Sequence, residues 1–261
     1  MTIASLINVS KLGVLSSQSA LQVVSHNIAN VNTEGFSRQT AVLGTNATNA
    51  QRYGLSGTNV AGDGVMVNAV TRQVDALVEN RILLGEQELG RLTTRDRFLM
   101  MVEDEFNDLD GDGFSQRMAS FFEAADSLAD NPLNPVAREE FVARSETLGN
   151  FANRMHSSLS ELALPVDGEI TVAIQDINTR LRSLQQVNDA IVRQGTAGSD
   201  PALDLMDKRQ TMIRELSELM DVQVLDQPNS AGITLLSGSG RMLMDQGFSA
   251  QFERGSISNV T

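Results

Sequence analysis

The first 38 residues constrain the fold of this chain more than any other stretch. Apolar residues recur there at alternating steps of three and four, in the series Ile3, Ile7, Val14, Leu21, Val24 and Ile28. Ser10 and Ser17 occupy the two gaps in the series. A helix with this spacing presents one narrow apolar stripe, which is typical of a helix that packs against a partner helix. These six apolar residues are called the seam below.

Charge is almost absent from the same stretch. Lys11 is the only Lys, Arg, Asp or Glu among the first 33 residues. A flexible tail is the simplest interpretation of an uncharged, polar segment, but such a tail has no reason to keep a three-four spacing. We therefore predict a helix that becomes ordered against neighbouring subunits.

The stretch that follows the seam favours an exit from a helix. It contains Asn30, Asn32 and Gly35, and these residue types tolerate the left-handed backbone found at helix ends. It resembles the N-terminal signature of the bacterial flagellar axial proteins, the family of rod, hook and hook-associated subunits. His26 stands where the family motif has its first Asn. The matching residues are called the exit signature, and they are Asn27, Ile28, Ala29, Asn30, Asn32, Thr33, Gly35 and Phe36.

The resemblance implies an assembly role for both the seam and the exit signature. In that family, low-charge helices pack side by side around a central channel. The resemblance further implies export through the flagellar type III apparatus with the help of an export chaperone. The expected partners are like subunits, the hook protein and other hook-associated proteins. It also implies a longer protein, of which this sequence is the N-terminal portion, with a C-terminal helix that returns to pair with the first one.

Composition excludes several classes of protein. The formal net charge of −13 disfavours binding to nucleic acid or to an anionic membrane, since both require a basic face. The chain has no cysteine, so a disulfide, a thiolate metal site and a cysteine nucleophile are impossible. No apolar run approaches the ~18–20 residues of a spanning helix, and the N-terminus lacks the pattern of a cleavable signal.

Helical periodicity returns after a loop. Residues 40–70 carry turn signals, with an extended segment over residues 65–70. A long helix is predicted from about Thr71 to Asn107, and a second from Phe114 to Leu128. Pro132 and Pro135 separate the second helix from a third that opens near residue 136.

The most regular heptad follows Pro165 and Gly168, which either kink the third helix or separate it from its successor. The heptad residues are Ile170, Ile174, Ile177, Leu181, Leu184, Asn188 and Ile191. Asn188 is a polar residue at a core position. Such an Asn either sets the register of a helix pair or lies near the exposed end of a bundle.

A second resemblance is carried by residues 203–219. This segment resembles a helical stretch of the hook-associated protein 1 family, and the matching residues are Asp207, Arg209, Glu215 and Leu216. Where that family has a second Asp, this chain has Gln210. Rod and hook proteins lack such a long helical section after their first helix. From Asp221 onward the apolar period changes to two, which predicts antiparallel hairpins.

The sequence therefore predicts a mainly α fold, an extended helical bundle or coiled coil with an N-terminal axial helix and the start of a C-terminal antiparallel β-domain. The predicted domains are 1–39 (axial helix and exit signature), 40–70 (loop), 71–220 (helical bundle) and 221–261 (β-domain). The resemblance implies a secreted structural protein that joins the flagellar hook to the filament.

Two alternatives are kept open. The first is another axial subunit, such as a hook or distal rod protein. The second is a calcium-binding regulator that uses Asp108, Asp110 and Asp112, which copy the first half of a calcium loop. Its twelfth position is Ala119 instead of the bidentate Glu, so an acidic turn is the preferred interpretation.

No catalytic set, cofactor site or metal site is predicted. His26 and His156 are far apart in the sequence, and their spacing offers no zinc site. The carboxylates are scattered along helical faces, as on solvated surfaces. We therefore expect the chain not to be an enzyme.

Overall fold

The computed structural model describes residues 3–45, 64–106, 113–196, 202–228 and 230–255. Within these ranges the chain forms six helices and six strands. The helices are α1 (Ile3–Ala29), α2 (Ala76–Phe106), α3 (Phe114–Asp130), α4 (Pro135–Glu161), α5 (Ala163–Thr196) and α6 (Leu203–Ser217). The strands are β1 (Gln39–Thr45), β2 (Val65–Arg72), β3 (Val222–Asp226), β4 (Ile233–Ser237), β5 (Met242–Asp245) and β6 (Phe248–Ser249). The predicted mainly α fold with a C-terminal antiparallel sheet is confirmed.

Strand β1 was not predicted, and because of its pairing α2 begins later in the sequence than expected. β1 pairs antiparallel with β2, and this register places Gln39 opposite Arg72 and Thr40 opposite Thr71. Because Thr71 and Arg72 are used in this hairpin, α2 begins at Ala76 and not near Thr71. The Asp75 carboxylate then accepts the N–H groups of Leu77 and Val78, which caps the new helix.

The chain divides into two compact units. Unit 1 groups Met1–Gln87 with Ile177–Gln251, and unit 2 groups Glu88–Asp176 with Phe252–Thr261. The division passes through α2 and α5. The four sequence ranges given above stay a prediction about domain organisation.

The core of unit 1 lies between α5, α6 and the four-stranded sheet, whose strand order is β3-β4-β5-β6. The C-terminal half of the heptad in α5 is buried as predicted. The core side chains with at most 3% exposure are Leu181, Leu184, Ile191, Ile213, Leu216, Val222, Ile233, Leu235, Leu243 and Met244. Apolar burial of this kind is the main stabilising term of such a unit.

Unit 2 is built on the antiparallel packing of α3 against α4. The rings of Phe121 and Phe141 lie 5.4 Å apart, and those of Phe114 and Phe151 lie 6.5 Å apart. α4 begins with an Asn134 side chain that accepts the N–H of Val136 at 3.0 Å. The Pro at the first helical position has no N–H to satisfy there.

The break between α4 and α5 lies before Pro165, and not at the proline itself. α4 ends at Glu161 and α5 begins at Ala163, so that α5 runs through both Pro165 and Gly168. In one continuous helix the carbonyl of Glu161 would accept the N–H of residue 165, and a proline has none. Pro165 therefore separates the two helices four residues upstream.

Two further questions raised by the sequence concern the acidic loop and membrane-spanning helices. The loop with Asp108, Asp110 and Asp112 lies outside the described residues. Among the helices that the structure describes, none combines the length and the apolar character needed to cross a membrane.

Candidate functional site

Helix α1 has two different faces. One face packs against β1 and β2, and on it Ser16 is 5% exposed and donates its Oγ hydrogen to the carbonyl of Val65 at 2.9 Å. The seam lies on the opposite side. Its six residues are between 50% and 81% exposed. The sequence pattern thus marks the open face of α1, while the packed face combines Ser16 with the half-buried Val9, Leu12 and Val23.

The exit signature uses its polar residues inside the chain. The Asn27 side chain accepts the N–H of Gln39 and donates to the carbonyl of Gln39, both at 2.8 Å. It therefore pairs with the first residue of β1 as a neighbouring strand would. The Asn30 amide donates to the carbonyl of His26 at 3.0 Å, and its oxygen accepts from the Thr33 hydroxyl at 3.2 Å. These bonds satisfy the end of α1 and fix the start of the turn.

The rest of the exit signature divides into a packed and an open part. The Phe36 ring meets the His26 ring edge to face, with centroids 5.3 Å apart. Gly35 has a φ of +77°, in the left-handed region that favours glycine. By contrast, Ile28, Ala29 and Asn32 are exposed. Whether the exposed part contributes to assembly stays a prediction.

The segment that follows α1 packs against helix α6. A Cβ atom at Gly35 would lie only 2.2 Å from Thr211 Oγ1, so a side chain at position 35 would overlap the Thr211 hydroxyl unless that group moved. The Ser37 N–H donates to Asp207 Oδ2 at 3.1 Å. The two resembling stretches, about 170 residues apart in sequence, therefore lie against each other.

Asp207 is the buried centre of this contact. Its side chain is 9% exposed, and Oδ1 lies 2.7 Å from Nη2 of Arg72, whose side chain is 15% exposed. The same Nη2 donates to Ser37 Oγ at 3.2 Å. Among the described residues, Asp207 Oδ1 is paired with the guanidinium by charge and makes no aligned hydrogen bond, and the buried Arg72 Nε has no hydrogen-bond partner. A buried carboxylate is tolerated here because a guanidinium neutralises it.

Arg209 and Asn188 form a second buried polar cluster. Asn188 is fully buried; its Oδ1 accepts the N–H of Ile233 at 3.0 Å, and its Nδ2 donates to the carbonyl of Ile233 at 3.4 Å. Arg209 Nη1 donates to Asn188 Oδ1 at 3.0 Å and to the carbonyl of Ala231 at 2.8 Å. Asn188 thus pairs with the first residue of β4, as Asn27 does with the first residue of β1.

Burial, together with the charge of the nearby Arg72, lowers the pKa of Arg209 to about 10, and Asp226 opposes both effects. The guanidinium is therefore still protonated at neutral pH and keeps both donors. The two remaining residues of the second resemblance, Glu215 and Leu216, make an ion pair and a core contact, respectively. Glu215 pairs with Arg180, and Leu216 is fully buried.

Sequence reasoning missed four residues of this site: Ser37, Arg72, Asp204 and Thr211. Asp204 accepts from the Gln39 side chain at 3.1 Å and lies 3.4 Å from His26 Nε2. Their partners are distant in sequence, and a period in the chain carries no information about such pairs. In the described part of the chain, no group of three or more His, Asp or Glu side chains has the arrangement of a metal site.

Comparison with known proteins identifies the family. Residues 99–258 match the family described as the flagellar hook-associated protein FlgK helical domain, which is more than half of the chain. The chain belongs to the FlgK family of flagellar hook-associated proteins. Residues 16–36, the end of α1 with the exit signature, also match the family described as flagella basal body rod protein. The FlgK helical domain covers the section that rod and hook proteins were expected to lack.

Named relatives agree with the FlgK assignment. Flagellar hook-associated protein 1 of Salmonella typhimurium is 30% identical over 246 residues, which cover 90% of this chain and 43% of that protein. The protein of the same name from Bacillus subtilis is 26% identical over 235 residues, covering 87% of this chain and 45% of that protein. The chain thus spans less than half the length of these relatives.

A solved structure supports the fold. The flagellar hook junction protein FlgK from Burkholderia pseudomallei superimposes with a TM-score of 0.53 at 22% identity. The match covers 66% of this chain and 30% of that chain.

Proposed function

We propose that this chain is part of a structural subunit that joins the hook to the filament of the bacterial flagellum, outside the cell. The family match and the names of the relatives support this role. The role is mechanical, and no step of it requires catalysis. Export through the flagellar type III apparatus with a chaperone belongs to the same proposal.

The exposed seam is the observation that carries the proposal. Six large apolar side chains lie in one stripe on a helix whose other face is already packed. Lys11 is the only charged side chain between residues 3 and 29 apart from the ionisable His26. A stripe of this kind on a monomer is an interaction surface.

The magnitudes favour assembly with several neighbours. Complete burial of one such side chain contributes about 1.5–3 kcal/mol, so six contribute on the order of 10 kcal/mol. Association costs about 4–15 kcal/mol in lost freedom. One pair of seams is therefore marginal, whereas a helix in a tube contacts several neighbours at once. Like subunits, the hook protein and other hook-associated proteins are the proposed partners.

Charge placed on the seam tests the proposal. In the full-length protein, Leu21→Asp or Ile28→Asp is expected to abolish incorporation at the junction, because assembly would bury an unpaired carboxylate. The far-UV circular dichroism of the purified variants is expected to match the wild type, since both side chains are exposed in the free chain. The measurement is complementation of motility in a strain that lacks the native subunit.

Gln22→Asp is the matched control. It adds the same charge to the same helix, on an exposed residue about a third of a turn away from the seam. We expect normal motility from this variant. Normal motility from Leu21→Asp and Ile28→Asp as well would show that the seam is not an assembly surface.

A further inference from the structure

The segment that leaves α1 lies in register along α6. Gln39 contacts Asp204, Ser37 contacts Asp207, and Gly35 contacts Thr211. Every second residue of the segment thus meets the next turn of one face of α6, and the segment runs antiparallel to the helix.

The middle contact, between Ser37 and Asp207, constrains the position of the segment most strongly. Asp207 is buried, it accepts a backbone N–H, and it also binds the guanidinium of Arg72 at the end of β2. One carboxylate therefore holds both the segment after α1 and the hairpin on which α1 packs. A shift of the segment by two residues would move Ser37 away from both Asp207 Oδ2 and Arg72 Nη2.

We infer that Asp207 is a positioning residue that sets the orientation of α1 within unit 1. Asp204 and Thr211 fix the register on either side of it. The inference deepens the proposed function and rests on it for the role of α1 as the assembly helix. The direction of α1 is what lets the seams of neighbouring subunits face one another.

Spin labels measure this direction in the free chain. The chain has no cysteine, so Gln18→Cys on α1 and Gln186→Cys on α5 would carry the only two labels. Both residues are exposed and both belong to unit 1. The distance between the labels reports the orientation of α1, and a merely structural role of Asp207 would not move it while the fold is retained.

In the labelled chain, Asp207→Asn is expected to broaden the distance distribution and to accelerate exchange of the Ser37 amide about 10- to 100-fold. The reason is that the asparagine is uncharged and has one acceptor oxygen, whereas Ser37 and Arg72 use both oxygens of Asp207. Glu215→Gln is the matched control. It removes an acid and an ion pair from the same helix without touching residues 35–39, and it should change neither measurement.

An unchanged distance distribution in a folded Asp207→Asn variant would overturn the inference. If this variant does not fold, Gly35→Ala disturbs the same register without removing a charge, and it should broaden the distribution. Addition of Thr211→Ala removes the overlap and should narrow the distribution again. Failure of that pair would also overturn the inference. The free chain is used throughout, so these outcomes are independent of the motility test of the seam.

Discussion

Replacement of Gly35 by alanine tests the contact between the exit of α1 and α6. The new methyl group would lie 2.2 Å from Thr211 Oγ1, and the backbone has a φ of +77°. The left-handed conformation costs an alanine about 1–2 kcal/mol, and overpacking costs about 1–3 kcal/mol. The lower entropy of the unfolded alanine chain offsets about 0.4–1 kcal/mol. We expect the free energy of unfolding of unit 1 to fall by about 3 kcal/mol.

A double-mutant cycle separates the overlap from the backbone strain. Thr211→Ala removes Oγ1 and its hydrogen bond to the carbonyl of Asp207, for a cost of about 1 kcal/mol or less. In the Thr211→Ala background, Gly35→Ala keeps the strain of the left-handed backbone but loses the overlap. We therefore expect a coupling free energy of about 1–3 kcal/mol between residues 35 and 211.

Gly240 provides a control for the strain alone. It has a φ of +80°, and a Cβ atom there would meet nothing within 4 Å. Gly240→Ala should cost only about 1 kcal/mol and should show no coupling to Thr211→Ala. The assay is native-state hydrogen exchange of the α6 amides, which reports the unfolding of unit 1. If the effects of Gly35→Ala and Thr211→Ala add within about 0.5 kcal/mol, the two residues are not in contact.

Two further substitutions test other contacts of the described residues. Asn188→Leu should lower the free energy of unfolding of unit 1 by about 2–4 kcal/mol, because both backbone groups of Ile233 lose a buried partner; a loss below about 1 kcal/mol in the same exchange assay would contradict the assignment. Pro165→Ala should join α4 to α5, because the new N–H can bond to the carbonyl of Glu161. The residue 165 amide should then be protected from exchange, and rapid exchange of that amide would show that proline is not the cause of the break.

Several local features could be predicted from the sequence because they depend on local repeats. The seam spacing predicted α1, the prolines at 132 and 135 predicted the separation of α3 and α4, and the change to period two at residue 221 predicted the antiparallel sheet. The family, too, was correctly identified from two short stretches. Each of these signals lies within a few turns or one strand, where backbone geometry alone fixes which side chains share a face.

The role of Asn188 shows where such reasoning ends. The heptad correctly placed Asn188 at a core position, but it offered only a register function between helices or an exposed end. In the structure its amide pairs with β4 and receives Arg209. A heptad describes which face a side chain is on; it contains nothing about the strand that arrives there from 45 residues away.

The sequence by itself determined that α1 exists, that it carries an uncharged apolar stripe, and that the chain turns after it. Only the tertiary structure decided that the stripe is the open face, that β1 pairs with β2, and that Asp207 holds Ser37 and Arg72. The physical reason is the range of the forces involved. Apolar periodicity is written in neighbouring residues, whereas a buried carboxylate selects its partners only after folding has brought distant donors within about 3 Å.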